Sequence, residues 1–143
     1  MRLEKQITSK KALIMEDDLS LRTVLRRILL SIAPLIEIDW VTSAEAALPR
    51  IRGDLLSQKN TYDLIITDIF LEGAITGIDF WQTCQVLCPH TSILLMSSMP
   101  SDHFFKAIGE IKKPPQFLSK PLHLAECRKV ITKLLGQTET LPC

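Results

Sequence analysis

Apolar residues recur along the chain in short blocks at a regular beat: ALIM from Ala12, IEIDWV from Ile36, DLIIT from Asp63, SILLMS from Ser92 and QFLS from Gln116. Each block has the length of a strand. The third and fourth are almost continuously apolar, as in a parallel sheet covered on both faces, whereas a sheet open to water alternates. Between the blocks the spacing turns helical. Leu21, Val24, Leu25, Ile28, Leu29 and Ile32 form one stripe, with Arg22, Arg26 and Arg27 turned away. Asp18 or Ser20 stands where a cap is needed. A second helix is expected from Thr42, with Glu45 three residues on as a capping box and Pro49 kinking or shortening it. A third follows Gly77 through DFWQTCQVL to Pro89, and a fourth spans about 102–111, ahead of KKPP. The fifth carries Leu124, Cys127, Ile131, Leu134 and Leu135 and stops at Gly136. This alternation predicts an α/β fold: a doubly wound, five-stranded parallel sheet with helices on both faces and right-handed crossovers.

Length and composition narrow the possibilities further. A chain of 143 residues, 46% hydrophobic and 23% charged, makes one globular domain, expected at residues 11–136 with an N-terminal extension at 1–10 and a tail at 137–143. The net charge of +1, with both signs mixed, lacks the broad positive field of a dedicated nucleic-acid binder. Neither a signal-peptide core nor a run of roughly 18–20 apolar residues occurs, so a cytoplasmic protein is expected, bound to no membrane. Cys84, Cys88, Cys127 and Cys143 are too few and too irregular for a secreted disulfide framework, and without clustered histidines they make a poor zinc site. Reduced core cysteines are expected. His90, His103 and His123 are scattered and read as structural or solvated.

In an open sheet of this kind, functional groups gather beyond the carboxyl ends of the strands, where strand order reverses. Those ends hold Glu16, Asp17 and Asp18; Thr67 and Asp68; Ser97 and Ser98; and Ser119, Lys120 and Pro121. Taken singly, each has a plain explanation: Asp18 caps a helix, Asp68 begins a turn, Ser97 satisfies a backbone group, Lys120 is solvated. Carboxylates, a hydroxyl and an ammonium arriving at corresponding ends of four strands are much harder to obtain by accident.

The motifs "MEDD", "IITDIFLEG", "LLMSS" and "FLSKP", in this order and spacing, resemble the receiver domain of two-component response regulators over about residues 10–136. The resemblance implies a flavodoxin-like receiver fold of the single-domain chemotaxis-regulator type. It makes Asp68 the phosphoacceptor, Asp17 and Asp18 the acidic pair, Ser97 the switch hydroxyl and Lys120 the phosphate-contacting lysine. The implied cofactor is Mg²⁺, or Mn²⁺, held by Asp17, Asp18, Asp68 and the backbone carbonyl of Phe70. A hard dication prefers oxygen donors and offsets crowded acids, which without it should raise at least one carboxyl pKa. The implied phosphodonor is a phosphohistidine on a sensor histidine kinase or histidine phosphotransfer protein. Phe117, three positions before the lysine, takes the place of the aromatic residue whose rotation repacks the face of the fourth helix, fifth strand and fifth helix. That face would meet a downstream protein or a second copy of the chain. With no output domain after Gly136, the signal is expected to leave through a partner, self-association or phosphate relay.

The chain departs from the family pattern at several points. Glu72 stands where proline is common, and the loop from Asp68 to Gly77 is about one residue longer than its commonest version. Ser98 replaces a small alanine, and KKPP a Gly-Ala turn. Phe70 and Met99 occupy the positions that often steer hydrolytic water. Two other readings stay open: a phosphorylation-independent docking scaffold, and a Mg²⁺-dependent aspartyl-phosphate phosphatase. The second would need an acid two residues after Asp68, where Phe70 stands. A flavodoxin-type cofactor site fits poorly, because the loop after the first strand presents acids rather than amides and hydroxyls to a phosphate.

Overall fold

The apolar blocks become strands β1 (Lys11–Met15), β2 (Glu37–Val41), β3 (Leu64–Asp68), β4 (Ser92–Ser97) and β5 (Gln116–Ser119) of one sheet. Between and after them run helices α1 (Leu19–Ile32), α2 (Ala44–Leu56), α3 (Gly77–Leu87), α4 (Ser101–Ile108) and α5 (Leu124–Leu134). The structure is a computed structural model that describes residues 10–59 and 61–136. Most of the expected N-terminal extension, and the expected tail with Cys143, lie outside the described residues.

The sheet order is β2-β1-β3-β4-β5, with every neighbouring pair parallel. Strand order therefore reverses between β1 and β3, and the loops after these two strands diverge to leave a crevice. Alternate side chains along the central strands enter two separate cores. Leu13, Met15, Ile65 and Leu95 pack with α2, α3 and α4, whereas Ala12, Ile14, Ile66 and Leu94 pack with α1 and α5. Burial on both faces explains why β3 and β4 read as unbroken apolar runs. Among the described residues, no helix is long and apolar enough to cross a membrane.

Three local expectations are corrected. The cap of α2 is Ser43, not Thr42: its hydroxyl accepts the Ala46 N–H, leaving Glu45 outside any capping box. Pro49 does not end α2, which continues through it to Leu56. A mid-helix proline costs roughly 3 kcal/mol. Ala44, Ala47, Leu48 and Ile51 are buried along that helix, and full burial of each large aliphatic contributes about 1.5–3 kcal/mol, enough to offset the proline. Finally, α4 stops at Ile108 because Gly109 turns the backbone to φ +75°.

Candidate functional site

Strand β3 delivers Asp68 to the crevice, and its two carboxylate oxygens have different partners. Oδ1 accepts the backbone N–H of Phe70 at 3.1 Å, and Oδ2 accepts Lys120 Nζ at 2.6 Å. Lys120 follows β5 directly and is held there by its own backbone N–H donating to the Ser97 carbonyl at 2.7 Å. Its ammonium also donates to Glu16 Oε2 at 3.0 Å, so one cation bridges the ends of β1 and β3. Gly77, the first residue of α3, makes room for this arrangement: a Cβ there would lie 2.4 Å from the Asp68 carbonyl oxygen.

The acids after β1 divide their tasks. Glu16, only 2% exposed, turns into the site, and its Oε1 accepts the backbone N–H groups of Asp17 and Asp18. Asp17 is exposed beside it. Asp18 Oδ1 accepts the N–H groups of Ser20 and Leu21 and caps α1. The structure thus brings Glu16, rather than Asp18, to the lysine that Asp68 shares. Two signals in the sequence pointed this way: Asp18 stood at a helix start, where a cap competes for its carboxylate, and Glu16 directly continued β1. The Glu16 N–H indeed still bonds to the Val41 carbonyl of β2.

Burial pushes the Glu16 carboxyl above its ordinary range; the hydrogen bond from Lys120 works against that rise, and the Asp17 side chain adds to it. A carboxyl is thus raised here, but the cause is chiefly desolvation, with the hydrogen bond to Asp17 a lesser one, and not the like-charge repulsion expected from the sequence. For Lys120, burial disfavours the ammonium. The hydrogen bonds to Asp68 and Glu16 outweigh it and hold the pKa above the usual lysine value.

Ser97 is fully buried at the end of β4, and its hydroxyl accepts the Met99 N–H at 3.1 Å. As a hydroxyl it keeps one proton to donate. Phe117 is half-buried and stacked on Phe104 of α4, with centroids 4.2 Å apart and rings 5° from parallel. Phe105 meets both rings edge-on. The Phe70 side chain is 65% exposed at the rim. Cys84, Cys88 and Cys127 are free thiols in the core, and His90, His103 and His123 are exposed.

Mg²⁺ suits this donor set. The donor atoms available to a cation here are oxygens, from the carboxylates of Glu16 and Asp68, the neighbouring Asp17 and the backbone, beside the Lys120 ammonium. Among the described residues no three His, Cys, Asp or Glu side chains form a ready-made cage. Mg²⁺ is a hard ion that takes oxygen ligands and keeps several waters, whereas zinc favours nitrogen and sulfur, so the chemistry of these donors fits Mg²⁺.

Comparison with known proteins identifies the family and the fold. The family described as the response regulator receiver domain matches residues 12–132. No curated protein matches the sequence. Among solved structures, the chemotaxis response regulator CheY4 of Vibrio cholerae superposes with a TM-score of 0.66 at 23% identity, covering 89% of this chain and 99% of that one. A response regulator receiver protein from Sinorhizobium medicae gives 0.71 at 16% identity, over 91% and 97% of the two chains. The receiver domain of sensor histidine kinase PA1611 from Pseudomonas aeruginosa, solved with a magnesium ion coordinated in its active site cleft, gives 0.63 at 17% identity, over 91% and 100%. At these identities the likeness establishes the fold.

Proposed function

The chain belongs to the response regulator receiver domain family, the phosphorylatable switches of two-component systems, and on that premise we propose that Asp68 accepts a phosphoryl group from a phosphohistidine and that Ser97 and Phe117 pass the change to an output face. The donor is a sensor histidine kinase or a histidine phosphotransfer protein. The observation that carries this reading is the Lys120 ammonium held between Asp68 and Glu16.

In the transfer, an Asp68 oxygen bonds to phosphorus as the P–N bond of the donor breaks and the departing imidazole takes the bonding pair. Lys120 moves its hydrogen bond from Asp68 Oδ2 to a phosphoryl oxygen while Glu16 keeps hold of it. Asp17, Asp68 and the Phe70 carbonyl would hold Mg²⁺, with Glu16 alongside; Asp18 is occupied by the α1 cap. When bound, the ion supplies charge neutralisation on the transferring oxygens. The Phe70 N–H, already on Oδ1, keeps the carboxylate in one rotamer.

Output follows from the hydroxyl of Ser97. Donating to a phosphoryl oxygen, it leaves the Met99 N–H, and Met99 packs in the same core cluster as Phe104 and Phe117. The aromatic stack then repacks, altering the face of α4, β5 and α5 for a downstream protein or a second copy. Phe117 has no hydroxyl, so packing alone drives the change. Beryllofluoride with Mg²⁺ mimics the acyl phosphate, and in its presence amide resonances are expected to shift at Ser97, Met99 and Phe117. Shifts confined to the Asp68 loop would favour the passive docking scaffold.

Resetting should be slow. Neither the Phe70 nor the Met99 side chain orients a water or removes a proton. Purified phosphoprotein with Mg²⁺ is expected to outlast a few seconds by a wide margin, measured as loss of radiolabel; decay within seconds would show that another group positions the water.

A further inference from the structure

The acceptor loop lacks the proline common in this family and is about one residue longer, so its path needs another restraint. The structure supplies one from α2. Glu45 Oε2 accepts the Ala74 N–H at 2.8 Å, Glu72 Oε2 accepts the Thr42 hydroxyl at 2.9 Å, and Ser43 pairs with Glu72 as an isolated parallel bridge. Gly73 sits at φ +88°, and a Cβ on it would lie 2.5 Å from the Glu45 carboxylate, so the acid lies flush against the loop in the space a side chain would fill. Because Ser43 caps α2 through the Ala46 N–H, Glu45 is not needed in a capping box and its carboxylate reaches outward. At the other end the loop is closed by the Gly77 N–H donating to the Ile69 carbonyl at 2.8 Å. Residues 70–76 are therefore tied at both ends and pinned in the middle.

We propose that Glu45 is a positioning residue for the acceptor loop: its hydrogen bond to Ala74 sets the path of residues 70–74 and so aims the Phe70 carbonyl at a divalent cation beside Asp68. This rests on the receiver reading given above. Glu45 touches neither phosphate nor metal; it acts through the backbone. Groups one layer beyond the ligands typically contribute 10- to 100-fold in metal affinity.

The test uses the full chain and two readouts: Mg²⁺ affinity from the amide shifts of Phe70 and Ala74, and hydrogen exchange at Ala74 without metal. Glu45→Ala is expected to weaken Mg²⁺ binding by about tenfold and to speed Ala74 exchange. Glu45→Gln keeps the accepting oxygen and should stay near the wild type in both. Thr42→Val, which removes only the hydroxyl bond to Glu72 and leaves the Ser43–Glu72 bridge, should give a smaller loss. Wild-type affinity in Glu45→Ala would overturn the inference, as would a Glu45→Gln loss equal to that of alanine, since charge rather than the hydrogen bond would then be at work. A wild-type protein that shows no Mg²⁺ response would instead overturn the receiver reading, and this inference with it.

Discussion

Asp68→Asn is expected to abolish phosphoryl uptake, because a neutral amide oxygen is no nucleophile. The substitution suits the site sterically. The amide oxygen of the introduced asparagine can still accept the Phe70 N–H that now goes to Asp68 Oδ1, so the backbone of the loop should hold. What changes is the second oxygen: an amide nitrogen would face the Lys120 ammonium across a contact that is now 2.6 Å. Lys120 should then turn wholly to Glu16. Incubation with radiolabelled phosphohistidine donors is expected to label the wild type and leave Asp68→Asn at background, with folding checked by thermal melting. Undiminished labelling of the variant would place the acceptor elsewhere and remove Asp68 from the mechanism.

Lys120→Met should do damage of two kinds. Loss of a preorganised cation aimed at the transferring oxygens costs about 10²- to 10³-fold in rate, by analogy with single electrostatic groups in other active sites. The second effect needs no phosphate. Glu16 is 2% exposed, and Lys120 has 24% of its side chain exposed. Removing the cation leaves the glutamate's charge enclosed, and breaking such a pair typically destabilises a protein by about 3–5 kcal/mol. The pH dependence follows from the two shifts. Lys120 is raised by its partners, so its contribution is complete below the ordinary lysine pKa and fades as pH climbs through the higher folded value; at neutral pH all of it is at stake. Glu16 is also raised, chiefly by burial, so folding favours its neutral form, an advantage present in acid and lost as pH rises through the folded value. Without Lys120 that rise grows. Melting curves across pH should therefore show the gap between variant and wild type widest near neutrality and narrowing towards acid. A gap independent of pH would mean that packing, not charge, explains the loss.

The sheet was legible in the sequence because its central strands are covered on both sides, and continuous runs such as LIITD and SILLMS have few other uses. The strand ends followed from that, placing Asp68, Ser97 and Lys120 at three of them. Less legible were choices between neighbouring residues of like chemistry. Thr42 and Ser43 are both able caps, and the backbone settled on the second. Glu45 looked like half of a capping box, yet its partner lies 29 residues ahead, at Ala74. Glu16 and Asp18 posed the same problem more sharply. The helix start at Asp18 and the continuation of β1 into Glu16 were local hints, but the lysine that meets the inward acid lies 104 residues away. Pro49 misled for an energetic reason: its local cost was plain in the sequence, whereas the burial offsetting it depended on the completed fold.

The burial of Glu16 beside the Lys120–Asp68 contact also bears on how the protein responds to ionic strength. Small ions act strongly on exposed charges such as Arg26 and Arg27 of α1 and only weakly on an enclosed pair. On the proposed receiver reading, added salt is therefore expected to change how often a donor arrives more than it changes the exchange at Asp68 itself.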